Sequence, residues 1–432
     1  MRTSLKILLL SVFLLFSGLI SFAQVMKSFL ESQFKIVNST PLTGKSDFKE
    51  VYELMIRQPL DHTDTAKGFF LQRIIVFYMD TALPTVIVTE GYSADYAARS
   101  SFKEELTRIL NTNQIVIEHR FFSKSLPENV NWDFLTVNNA AADDHDVILL
   151  FKKLYKHKWI STGISKGGQT ALYHRSIYPD DVDVTVPYVA PLNVALEDGR
   201  HEPYINQIGS RADRKAIRDF QFEVLKRRST LFPKFEKFIA EKHYTFRLPL
   251  EEIYDYCVLE YSFAFWQWET TISEIPENDA SDDKVFKHFI SIASPDYFSL
   301  EAIKPLEAFV VEAAKEEGYY GYETEPFKQF LKISTAKNYF QSVFLGPEQK
   351  FTYQPSANDK VRQFLAKQDV KMIFLYGEYD PWSATSVVFT DKKQMFKVVK
   401  RGGSHATRIL NLPNRQQKKV VKQLKKWIKK TT

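Results

Sequence analysis

Apolar residues along the chain fall into two patterns. In the first, four to six consecutive residues, mostly apolar and rich in β-branched types, end abruptly at glycine, proline or charge. Residues 84–89 (Pro-Thr-Val-Ile-Val-Thr), 114–118, 159–162, 184–189, 371–376 and 394–399 follow it. Short continuous apolar runs of this kind predict strands buried on both faces. Residues 96–110, 136–155 and 169–176 lie between them and carry good helix formers without an internal breaker. Strand and helix in alternation predict an α/β chain, with a mostly parallel sheet covered on both sides. Residues 51–56 and 69–78 are β-rich runs separated by Pro59 and a polar turn. They predict an antiparallel pair at the sheet edge. Residues 24–45 predict an irregular lead-in.

The second pattern fills residues 195–344, which predict helices crowded with aromatic and charged side chains. The densest run is 259–268, Leu-Glu-Tyr-Ser-Phe-Ala-Phe-Trp-Gln-Trp. Strand-forming runs then resume. The expected organisation is a catalytic domain in two parts, 24–194 and 345–432, with a helical cap over 195–344 inserted above the C-terminal edge of the sheet.

With 432 residues, of which 44% are hydrophobic, the chain can bury a large core. Residues 1–23 read as a secretory signal peptide. Arg2 and Lys6 precede the apolar run 7–20, and Ser21-Phe22-Ala23 supplies a small-x-small cleavage site. No later run is long and apolar enough to cross a membrane. The protein is therefore expected in the periplasm or outside the cell. Cys257 is the single cysteine, so no internal disulfide can form. It lies in an aromatic helical stretch and reads as a buried structural thiol. The net charge of +6 is concentrated in the tail. There Val420, Val421, Leu424, Trp427 and Ile428 share one helical face and lysines the other. A docked terminal helix with a solvated lysine face follows, and no nucleic-acid motif accompanies the basic residues.

The chemistry centres on Gly163-Ile164-Ser165-Lys166-Gly167-Gly168. A strand leads into it and a helix leads out, the context of a nucleophile elbow. Glycines permit the tight turn, and the serine projects at a helix N-terminus where developing negative charge is favoured. An acyl-transfer serine needs a base and a group to orient it. In an α/β-hydrolase fold these follow in the order Ser, acid, His, on loops after later strands. Asp380 and His405 satisfy that order, each directly after a predicted strand. The oxyanion hole is expected from the backbone N–H of Lys166 and from Gly91 or Tyr92. Such a site uses no cofactor. Adjacent residues on a helix diverge, so Asp143-Asp144-His145-Asp146 is not expected to hold a metal. His174, nine residues past Ser165, lies about 13 Å along the helix, too far to be the base. Glu90 and Glu118 end strands on the active edge. Glu118 reads as a structural acceptor. Glu90 is either another or the anchor for a substrate amine.

Several of these segments resemble one known group. Glu118-His119-Arg120-Phe121-Phe122, the Ser-Lys-Gly-Gly elbow and Tyr178-Pro179-Asp180-Asp181-Val182-Asp183 carry the resemblance. So do Tyr188-Val189-Ala190-Pro191, the run 260–267 and Gly377-Glu378-Tyr379-Asp380-Pro381-Trp382-Ser383. They look like the bacterial secreted tripeptidyl-aminopeptidase (prolyl-type) family of serine peptidases. A more distant similarity is to the lysosomal prolyl carboxypeptidase and dipeptidyl peptidase family. The resemblance implies release of short peptides from a free N-terminus, often beside proline. It implies a carboxylate for the terminal amine and an aromatic pocket for the proline ring, with Trp266, Trp268 and Trp382 as candidates. Residues 270–349 match no motif of the group. A secreted esterase or lipase on the same fold is the alternative enzyme, and a non-catalytic binding protein on a hydrolase scaffold is the other class.

Overall fold

The computed structural model describes residues 25–429. The expected leader over 1–23 lies outside the described residues. Nine strands form one sheet, and two more a small ribbon. In chain order they are β1 (Ile36–Pro41), β2 (Glu50–Pro59), β3 (Phe69–Tyr78), β4 (Thr85–Thr89), β5 (Asn113–Ile117), β6 (Trp159–Ile164), β7 (Val184–Tyr188), β8 (Glu197–Asp198), β9 (Tyr319–Tyr320), β10 (Met372–Gly377) and β11 (Met395–Lys400). The main sheet runs β1-β2-β3-β5-β4-β6-β7-β10-β11. From β5 to β11 every neighbouring pair is parallel, whereas β3 runs against β5 and β1, β2 and β3 alternate. Setting β1 aside, the order is that of the α/β-hydrolase fold, with its second strand reversed.

Side chains alternate across β4, as the two-residue period of a strand requires. Val86 and Val88 join the core beneath the terminal helix Asn414–Ile428, with Leu424 and Trp427. Ile87 joins the opposite core, with Val147, Ile148 and Phe151 of the helix Val137–Phe151. Burial on both faces is why these strands read as unbroken apolar runs.

Two expectations need correction. The lead-in is not irregular: it forms a helix, Val25–Glu31, and then β1, which takes the outermost sheet position beyond the β2–β3 pair. The helix expected over 96–110 is reduced to a 3₁₀ turn, Asp95–Ala97, and a short helix, Glu105–Leu110. Glu104 caps the latter by accepting from the N–H groups of Leu106 and Thr107, so the helix starts only there.

Residues between Glu197 and Phe344 form helices, short 3₁₀ turns and the β8–β9 ribbon. Their aromatic side chains make a core of their own, which also takes in Phe121, Phe122, Leu135 and Trp382. Cys257 is buried in the helix Leu250–Gln267, and desolvation pushes its thiol well above the ordinary value. No described helix is long and apolar enough to cross a membrane.

Candidate active site

β6 ends at Ile164, and the helix Lys166–Ile177 starts one residue past Ser165. Ser165 itself has φ 55° and ψ −122°, a conformation that L-residues rarely adopt. Close backbone packing holds it there. A Cβ on Gly163 would strike the Gly167 carbonyl, and one on Gly167 would lie 2.7 Å from the Thr89 carbonyl. One on Gly168 would meet Tyr188 O and Ala190 Cβ at 2.9 Å. The glycines are thus required by close contact rather than by backbone dihedrals, since none of the three has a positive φ.

Asp380 follows β10 and His405 follows β11, so both reach the edge where Ser165 stands. Asp380 is fully buried. Its Oδ1 accepts from Trp382 N–H at 3.1 Å, and its Oδ2 lies 2.8 Å from His405 Nδ1. With a carboxylate accepting at Nδ1, that nitrogen carries the proton and Nε2 is left as an acceptor. The His405 N–H donates to Gln267 O at 3.1 Å, so the last turn of the helix Leu250–Gln267 holds the histidine loop. Trp268 stands edge-on to the imidazole, 5.7 Å between centroids. Among the described residues Ser165 Oγ has no hydrogen bond to His405, but both line one cleft of about 640 Å³. Sites without substrate commonly hold this contact long.

The same cleft is lined by Glu90, Tyr92 and Trp268. Among the described residues, the N–H groups of Gly91, Tyr92 and Lys166 have no hydrogen-bond acceptor. A Cβ on Gly91 would sit 2.7 Å from Gly167 N, which places the two expected oxyanion segments in contact. Glu90 accepts from the Tyr96 hydroxyl, and burial pushes its carboxyl up to about 7. Glu118, by contrast, is saturated: it accepts from Ala94 N–H, Ser125 N–H and Ser125 Oγ and pairs with Arg73. That is a structural role.

The three tryptophans are not brought together. Trp268 is 62% exposed and stands in the cleft. Trp266, two residues away, points elsewhere, packing on Tyr379 and lining a separate small cavity. Trp382 is buried against His201, Phe263, Tyr319 and Tyr320. The acidic run diverges as well. Asp143 pairs with Arg120 and His62, His145 with Asp181, and Asp146 with Lys35. His174 also binds Asp181, at 2.9 Å.

Sequence reasoning missed a buried ionic cluster beside Ser165. Lys166 Nζ lies 2.7 Å from Glu312 Oε2 and 3.1 Å from Glu317 Oε1. Desolvation, opposed by Lys166 and reinforced by Glu312, pushes the Glu317 carboxyl up to about 8. The signal available was Glu312 standing in Val-Val-Glu-Ala-Ala, a charge inside an apolar run. Because the native fold holds Glu317 protonated and the unfolded chain does not, its contribution to stability is present below about pH 4.5 and is lost as pH rises towards 8. Lys166, Glu312, Glu316, Tyr92 and Tyr173 face it across this window. Glu317→Gln is expected to melt a few degrees above the parent at pH 8 and level with it at pH 5, by scanning fluorimetry.

Together the fold and the strained serine define a serine-type hydrolase of the α/β class. The profile of the PS-10 peptidase S37 family matches residues 28–431, so the chain belongs to that family of serine peptidases. It is 29% identical over 404 residues to the prolyl tri/tetrapeptidyl aminopeptidase of Streptomyces mobaraensis, across 91% of this chain and 82% of that one. Among solved structures it is similar to the proline iminopeptidase of Mycobacterium smegmatis (13% identity, 90% of this chain and 98% of that one, TM-score 0.39). VinJ gives 13% identity, 91% of this chain, 100% of that one and the same TM-score.

Proposed function

We propose that this serine aminopeptidase releases di- or tripeptides from free N-termini, with a preference for cutting near proline. Ser165 attacks the scissile carbonyl, His405 takes its proton and returns it to the leaving amine, and Asp380 fixes the imidazole. The acyl-enzyme is then hydrolysed by the reverse sequence. The N–H groups of Lys166 and of Gly91 or Tyr92 hold the oxyanion. The observation that carries this is the buried Asp380–His405 contact of 2.8 Å, on the same cleft as Ser165 in its strained turn. Reaction is assigned to the periplasm or the outside of the cell, on the strength of the leader pattern over 1–23.

Glu90 is assigned to the substrate ammonium. It lines the cleft and has one hydrogen bond, from Tyr96, so acceptor capacity remains. Its carboxyl, raised to about 7, is ready to ionise against a cation. Glu90→Gln is expected to raise KM for a free-amine peptide about 10–100-fold, the loss typical of one charge-assisted contact. Steady-state kinetics read this directly. Mass spectrometry of products from a mixed peptide library tests the activity as a whole. Expected products end two or three residues from a free N-terminus, enriched in proline at the cut. Equal cleavage after N-acetylation would sink the aminopeptidase assignment.

A further inference from the structure

We propose that the Lys166 side chain is a positioning residue that locks the oxyanion donors to the seated cap through Glu312 and Glu317. This rests on the reading of Lys166 N–H and the Gly91 segment as the oxyanion hole. The side chain is 2% exposed, although lysine is almost never buried without a purpose-built partner. Its stem lies across the second donor segment: a Cβ on Gly91 would be 2.5 Å from Lys166 Cγ and 2.6 Å from Lys166 Cβ. Its head ends among three buried groups from two other parts of the chain. Glu312 and Glu317 come from the cap, and His119 Nε2 lies 3.4 Å away on the loop after β5. Burial depresses His119 to about 4, so the ring is neutral. Its Nδ1 faces Arg120 O at 3.0 Å, and its Nε2 lies 3.4 Å from both the Lys166 ammonium and Glu312 Oε2.

The cap is shaped for this contact. Glu312 closes the helix Glu307–Glu312, and Glu317 closes a π-helical turn, Ala313–Glu317. In an α-helix, residues five apart diverge by about 140° and could not meet at one ammonium. Hydrogen bonding of the i→i+5 type returns the fifth residue towards the same side, and π turns of this kind concentrate at functional positions. Tyr92 adds a second link, its ring packing on Phe309 of the cap, 5.5 Å between centroids. The residue whose amide is to receive the oxyanion is thus held at its far end by the cap. A displaced cap would release it. Displacement of a donor by about 1 Å can cost on the order of 100-fold in rate.

The test is the double variant Lys166→Met, Glu312→Gln. It removes one charge of each sign, a replacement that buried ion pairs often tolerate in stability. The expected result is a melting midpoint within a few degrees of the parent, KM within about threefold and kcat lowered about 10–100-fold. Glu312→Asp keeps the charge balance but shortens the reach by one methylene. It should lower kcat about 3–10-fold at unchanged KM. A folded double variant with kcat within twofold of the parent overturns the proposal, as does a loss expressed mainly in KM. Should the double variant fail to fold, Glu312→Asp decides by the same criteria. Fluorophosphonate labelling of the parent separates the two levels. An unlabelled Ser165 defeats the proposed site itself, whereas a labelled one with unaffected variants defeats only the positioning role.

Discussion

Ser165→Ala is expected to lower kcat by about six orders of magnitude on a peptide amide, the scale on which removal of a triad serine acts. In the proposed mechanism the hydroxyl oxygen forms the covalent intermediate, and no neighbouring group can replace it. Cys257 is buried in the aromatic core of the helix Leu250–Gln267, and Lys166 is paired with the Glu312 carboxylate, with Glu317 beside it. The fold should survive. Alanine keeps the Cβ and so keeps the strain at φ 55°, and the backbone bond from Ser165 N–H to Tyr188 O, 2.9 Å, is untouched. The melting midpoint should therefore stay close to that of the parent. Retention of even one-hundredth of the activity in a clean preparation would remove Ser165 from the mechanism.

The second large effect is at Asp380. Asp380→Asn is nearly isosteric, yet kcat should fall about 10⁴-fold. An amide nitrogen in place of Oδ2 donates where an acceptor is needed. The imidazole then turns to the tautomer with its proton on Nε2, and the base is lost. Because Oδ1 can still accept from Trp382 N–H, the loop should keep its shape. KM should change by no more than a few-fold, and circular dichroism should match the parent. A loss below tenfold would mean that another group orients His405.

Five of the six parallel strands of the main sheet could be read from sequence because burial on both faces leaves an unmistakable run of apolar residues, whereas β11, at the sheet edge with only Met395 buried, showed through its shorter apolar pairs. The placement of Ser165, Asp380 and His405 just past strand ends was legible for a related reason, since each follows a strand marked in this way. β1 left no such mark. Five of its six residues are exposed, so its pairing with β2 rests on backbone hydrogen bonds that side-chain pattern does not record. Trp266 and Trp268 illustrate a different loss. Two residues apart at a helix end, they project to opposite sides, and only Trp268 reaches the cleft. The helical period alone argued against grouping them. The Lys166–Glu312 pair was beyond local reasoning altogether, because 146 positions separate its members.

The bond from the His405 amide to the Gln267 carbonyl has a practical meaning for redesign. It makes residues 195–344 something other than a detachable lid. A minimised chain with this segment excised, or a chimera carrying another enzyme's lid, would lose the acceptor that fixes the His405 loop. Widening the substrate range by shortening this segment would have to spare its helix end at Gln267 and Trp268, whatever else is cut away.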